Sequence, residues 1–153
     1  HIRAIDFSSN MIEIARKKAE TENIKNITFE QSTIDELNLS DSSLDVVLGM
    51  SILHLLDNKE EVIRKVYQML KPEGIFVSST ACLGDSMKWF KVIAPIGRFF
   101  GLIPLVKVFT AKQLENSLKN NGFTIDYKWQ PSKIVNKGAF KLKAVFIVAK
   151  KVG

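Results

Sequence analysis

Asp45-Val46-Val47-Leu48-Gly49, the stretch Lys59–Leu70, and Gly74-Ile75-Phe76-Val77-Ser78-Ser79-Thr80 follow one another in the middle of the chain. The first is a short unbroken apolar run. Parallel strands show such runs because layers cover both of their faces, so Asp45–Gly49 is expected to be a strand buried on both sides. In the second, Val62, Ile63, Val66, Tyr67 and Leu70 recur at helical spacing and form one apolar stripe. Pro72 cannot continue that helix, and Gly74 is expected to permit a positive-φ turn after it. Gly74–Thr80 is a further apolar strand. A strand, a helix and a second strand joined in this way predict a parallel crossover.

The same alternation extends towards the start of the chain. His1–Phe7 is a short apolar strand ending in Asp6, and Ser8 or Ser9 can cap the helix that follows. Met11, Ile12, Ile14 and Ala15 carry that helix to about Glu22. Asn26–Gln31 is a second strand with Ile27 and Phe29 on one face, Asp35–Leu39 is a turn-rich connector, and Ser51–Leu56 opens the connection after the Asp45–Gly49 strand. The order β-α-β-loop-β-α-β favours an α/β sheet with parallel crossovers. Towards the end, residues 86–109 are apolar and basic and are broken by Pro95, Gly97, Gly101 and Pro104. Thr110 can cap a helix through Asn120, and Asn121-Gly122 ends it. Phe123–Trp129 and Lys143–Lys150 read as strands joined by a long hairpin, so the sheet is expected to finish with an antiparallel pair.

A chain of 153 residues is the size of one domain, and 1–153 is read as a single one. No apolar stretch reaches the roughly 20 residues of a membrane-spanning helix. The start has no signal-peptide zones. One cysteine, Cys82, cannot form a disulfide within the chain and fits a reducing cytoplasm. The net charge of +6 is unevenly spread: residues 1–85 hold 9 basic and 14 acidic side chains, a net of −5, and residues 86–153 hold 13 and 2, a net of +11. Such polarity attracts an anionic membrane, a nucleic acid or an acidic substrate; a solvated lysine-rich surface accounts for it equally well.

Several segments, in order, resemble class I S-adenosylmethionine-dependent methyltransferases. Asp6-Phe7-Ser8-Ser9-Asn10-Met11 is similar to the segment after that family's second strand, and Ser42-Ser43-Leu44-Asp45-Val46-Val47 to the entry of its fourth. Ser51-Ile52-Leu53-His54-Leu55-Leu56 resembles the loop that follows, and Leu70-Lys71-Pro72-Glu73-Gly74-Ile75-Phe76 the turn into the fifth strand. Phe109-Thr110-Ala111-Lys112-Gln113-Leu114 with Asn121-Gly122-Phe123 is similar to the last helix and sixth strand. The resemblance implies a Rossmann-like sheet, mostly parallel, closed by a C-terminal antiparallel hairpin. The family's first strand and glycine-rich loop are absent from this sequence, and the expectation is that the native protein extends upstream of His1.

The resemblance also implies a site. Asp6, at a strand end, can accept hydrogen bonds from the two hydroxyls of a ribose; it also reads as a turn aspartate. Phe7 and Met11 would lie against the adenine, and both equally suit a core. Thr33 stands where the family usually carries an acid for the adenine amino group; its hydroxyl accepts without charge, and the Ile34 N–H can serve the ring. Gly49, Met50 and Ser51 end a central strand, where open α/β sheets bind ligands, and would face the methionine part of the cofactor. His54 is a candidate general base, or orients its loop through a hydrogen bond. No Cys/His cluster suggests a metal.

The implied reaction moves the sulfonium methyl group to a nucleophile and leaves S-adenosylhomocysteine. Residues 86–109, with Trp89, Phe90, Phe99 and Phe100 among Lys88, Lys91, Arg98 and Lys107, read as a lid or substrate cover. They suit a small lipophilic or anionic acceptor, peripheral contact with an anionic membrane, or plain packing on the sheet. Three other readings stay open: a non-catalytic interaction domain of the same fold, a nicotinamide-dependent dehydrogenase, and a nucleic-acid methyltransferase. The terminal hairpin speaks against the dehydrogenase. No Asn-Pro-Pro-aromatic sequence follows Asp45–Gly49, which lowers the odds of amino-group DNA methylation.

Overall fold

In the computed structural model, which describes residues 1–82, 109–130, 135–137, 140–142 and 144–153, Ile2–Asp6 forms strand β1 and Ile27–Gln31 forms β2. They pair in parallel from Ile2↔Ile27 to Asp6↔Gln31. Helix α1, Ser9–Thr21, makes the crossover. Ser8 is its N-cap and accepts from the Met11 N–H, satisfying one of the donors a helix start leaves free. The helix buries Ile12 and Ala19. Arg3 adds a cross-strand ion pair with Glu30. These elements make up the first of two compact units, His1–Leu39.

The second unit, Ser40–Gly153, holds the larger sheet. Its strands are β3 (Leu44–Met50), β4 (Leu70–Ala81), β5 (Phe123–Trp129) and β8 (Ala144–Lys151), in the spatial order β3-β4-β8-β5. β3 and β4 are parallel, joined through helix α2 (Lys59–Met69), whereas β8 lies antiparallel to both β4 and β5. A short antiparallel pair, β6 (Val135–Lys137) and β7 (Phe140–Leu142), lies within the connection from β5 to β8. Helix α3, Ala111–Asn120, starts at a capping box in which the Thr110 hydroxyl accepts from the Gln113 N–H and the Gln113 side chain accepts from the Thr110 N–H. The stripes of the two helices, Val62, Ile63, Val66 and Met69 on α2 and Leu114 and Leu118 on α3, are buried with Phe76, Val145 and Ile147 of the strands. Parallel pairing in the earlier strands and antiparallel pairing at the end match the expected α/β architecture.

Three local expectations need correction. The strand around Val46-Val47-Leu48 is not covered on both sides: Val46, Leu48 and Met50 are 51%, 60% and 55% exposed. β3 is the outermost strand of its sheet, and among the described residues of its unit nothing covers these side chains. Helix α2 ends at Met69, with Leu70 already extended, and the positive φ falls on Glu73 (66°) instead of Gly74. Gly74 is required for room, since a Cβ there would stand 2.8 Å from the Lys71 carbonyl oxygen. The stretch 86–109 lies outside the described residues except for Phe109, which is buried.

Gly122 is the expected helix stop, with φ at 92°. A Cβ at this position would also approach the Tyr67 ring to 2.9 Å, and Tyr67 is braced edge-on against Phe123. Gly122→Ala is therefore expected to destabilise the protein by about 2 kcal/mol, combining the left-handed backbone cost with crowding. A urea melt showing no loss would mean that the turn and the Tyr67 ring adapt freely.

Candidate functional site

The candidate residues of the first unit gather at one end of its strands. β1 ends at Asp6, whose Oδ1 accepts the Ser8 N–H at 2.8 Å. This contact fixes the carboxylate at the turn into α1 and leaves Oδ2 without a partner among the described residues. Phe7 and Met11 are 66% and 53% exposed, so neither serves as core. Parallel pairing carries the end of β2 to the same place: the Ser32 N–H donates to the Asp6 carbonyl at 3.1 Å and the Gln31 side chain donates to the Phe7 carbonyl at 3.2 Å. Thr33 is exposed and Ile34 half-buried in the turn beyond.

Glu36 is an acid that local reading passes over. Its Oε2 accepts the Thr33 N–H at 2.7 Å and the Ser32 hydroxyl at 3.3 Å. The carboxylate thus folds back to the turn at Thr33, where the family usually carries an acid. The Thr33 backbone N–H, first among its hydrogen bonds, holds its pKa below the usual glutamate value. The available signal was Thr33-Ile34-Asp35-Glu36, which has capping-box spacing.

In the second unit, Gly49, Met50, Ser51 and His54 lie at the end of β3 and in the turns after it. Gly49 is buried directly over the Phe76 ring, where a Cβ would come to 3.0 Å of Cε2, so a side chain here would require the ring to give by a few tenths of an ångström. Met50 is exposed. Ser51 holds φ at 57°, and its N–H donates to the Ser79 carbonyl at 2.7 Å, carrying the β3–β4 ladder past the strand end. That left-handed kink turns the chain into the loop bearing Leu53, which is fully buried, and His54, which is half-buried. His54 Nδ1 lies 3.0 Å from the Thr80 hydroxyl on β4. No signal near His54 in the sequence foretells this pairing, which depends on the register of two parallel strands.

Burial lowers the His54 pKa below 6.5. The ring is therefore neutral in the folded protein at neutral pH. Below 6.5 the unfolded chain takes up its proton first, so the stability contributed by the neutral ring is present above 6.5 and is lost as pH falls towards the folded value. His54→Gln should flatten the decline in urea midpoint on the acid side of 6.5. Parallel curves for the two proteins would show that the histidine does not titrate differently on folding.

The sequence model of the family described as "Methyltransferase domain" matches residues 1–140. The chain is 38% identical over 80 residues to malonyl-[acyl-carrier protein] O-methyltransferase of Bacillus cereus, a match covering 52% of this chain and 28% of that protein. It is 28% identical over 113 residues to demethylmenaquinone methyltransferase of Listeria welshimeri, covering 65% and 46%. The chain thus spans less than half the length of these curated relatives. Among solved structures, a SAM-dependent methyltransferase of Methanosarcina mazei superposes with a TM-score of 0.77 at 21% identity, over 98% of this chain and 81% of that one. Geranyl diphosphate methyltransferase in complex with SAM superposes with a TM-score of 0.72 at 11% identity, over 98% and 68%. At these identities the likeness shows the fold.

Proposed function

We propose, from the premise that the chain belongs to the class I S-adenosylmethionine-dependent methyltransferase family, that it transfers the methyl group of S-adenosylmethionine to a small-molecule acceptor. The observation that carries this reading is the end of β1: a carboxylate anchored by one oxygen to the Ser8 N–H, followed by an exposed phenylalanine and, one helical turn on, an exposed methionine. Asp6 is assigned to the ribose, and Phe7 and Met11 to the adenine. The Ile34 N–H and Thr33 are assigned to the adenine edge, with the Glu36 carboxylate as the acid beside them. Gly49, Met50 and Ser51 are assigned to the methionine part, where a glycine backbone admits close approach.

The cofactor supplies the electrophilic methyl carbon, and the protein supplies position and exclusion of water. The names of the two curated relatives, a malonyl-[acyl-carrier protein] O-methyltransferase and a demethylmenaquinone methyltransferase, support a small lipophilic or anionic acceptor. The 86–109 stretch is assigned as its cover, within a single 1–153 methyltransferase domain. The basic second half suits a cytoplasmic protein that touches an anionic membrane. Among the described residues no helix is long and apolar enough to cross one.

Calorimetric titration with S-adenosylhomocysteine, with NADH as control, tests the reading. Saturable binding of the first alone is expected. NADH binding in its place would move the chain to dehydrogenase chemistry; binding of neither by folded protein, repeated on a chain extended upstream of His1, would count for the non-catalytic interaction domain.

A further inference from the structure

The hydroxyl of Thr80 is buried on β4, 1% exposed, and its hydrogen-bonding partner among the described residues is Nδ1 of His54 at 3.0 Å. A hydroxyl has one proton to give and two lone pairs to receive, and the two ring nitrogens of a neutral histidine differ, one donating and one accepting. If Nδ1 carried the hydrogen, the Thr80 proton would be buried with no acceptor among the described residues, which is unfavourable. If the Thr80 hydroxyl donates to an unprotonated Nδ1, that proton is satisfied and the ring hydrogen must sit on Nε2. Nε2 has no partner among the described residues.

We infer that Thr80 is a positioning residue that fixes His54 as its Nε2–H tautomer, so that the ring offers a hydrogen bond to a carboxylate acceptor and does not serve as a general base. This deepens the proposed methyl transfer and rests on it only for the acceptor. A carboxylate needs no base: its oxygen attacks the methyl carbon, the C–S bond breaks with its electron pair returning to sulfur, and the negative and positive charges cancel without a proton moving. What such an acceptor needs is a fixed N–H to hold the oxygen in line. The lowered pKa of His54 agrees with a neutral ring in this role.

Long-range proton–nitrogen NMR on the 15N-labelled chain at pH 8 reads the tautomer directly. The wild type should show an unprotonated Nδ1 and a protonated Nε2. Thr80→Val should move both resonances towards the tautomer-averaged position, and Thr80→Ser should restore them. A protonated Nδ1 in the wild type overturns the inference even if Thr80→Val fails to fold, and so does a folded Thr80→Val with unchanged resonances. With S-adenosylhomocysteine present, sodium acetate as the probe should shift Nε2 where sodium chloride at equal ionic strength does not; equal effects of the two salts would remove the carboxylate from the proposal. The tautomer needs no ligand to be seen. A protein that shows it and binds no S-adenosylhomocysteine, also when extended upstream of His1, would sink the methyl-transfer reading alone.

Discussion

Phe76→Ala is expected to lower the stability of the protein by about 3–5 kcal/mol, the range for removing a fully buried phenylalanine side chain. Phe76 is 1% exposed on β4, flanked by Val47 of β3 on one side and Ala149 of β8 on the other. Its ring packs against Phe123 at 5.8 Å between centroids and lies beneath the Gly49 backbone. The cost falls at the upper end when a cavity cannot close, and here one side of the ring is faced by the Gly49 backbone at the end of β3. Urea unfolding should show a lower midpoint with an unchanged slope. A loss below about 1 kcal/mol would mean that the site collapses and that Gly49 does not rest on a rigid floor. The same ring thus links the core to the candidate site, because it sets the height of the backbone at Gly49.

The elements most readily read from the sequence are those whose pattern is local. Val62, Ile63 and Val66 declare α2 by spacing alone, and Thr110 with Gln113 declares the start of α3. Gly122 was legible because a helix stop with a left-handed residue is a property of one turn. The exposure of Val46 and Leu48 was not, because it depends on where β3 falls in the strand order and not on its own composition. Glu73 taking the positive φ that Gly74 was expected to take has a similar cause: the Lys71 carbonyl leaves no room for a Cβ at Gly74, and no local rule reports that crowding.

The candidate site divides along the same line. Asp6, Phe7 and Met11 could be named from one short segment, and the structure removes the core alternative for the latter two by exposing them. Position alone makes Thr33 a missing acid; Glu36 reaches the same turn from three residues on. Thr80 has no local signal because it lies 26 residues from His54 and meets it through the β3–β4 register. Contacts made across strands at large sequence separation carry no periodic trace, and these are the contacts that decide whether a histidine gives or takes a proton.

Asp6→Ala should weaken S-adenosylhomocysteine binding roughly 30- to 1000-fold, corresponding to about 2–4 kcal/mol for hydrogen bonds from ribose hydroxyls to a charged acceptor. The alternative role of Asp6, as a turn aspartate, makes a different prediction, and Asp6→Asn separates the two. Asparagine keeps an oxygen for the Ser8 N–H, now 2.8 Å from Oδ1, but gives up the charge and replaces the second acceptor with a donor. A purely structural Asp6 would let asparagine restore both the melting temperature and any binding. A ribose-binding Asp6 would let asparagine restore the melting temperature while affinity stays about tenfold or more below the wild type, since the N–H₂ group cannot receive a ribose hydroxyl. Calorimetry and thermal melts on the three proteins give both readouts from the same samples. Full binding by Asp6→Asn would take the ribose away from Asp6, and with it the observation on which the cofactor assignment of the first unit stands.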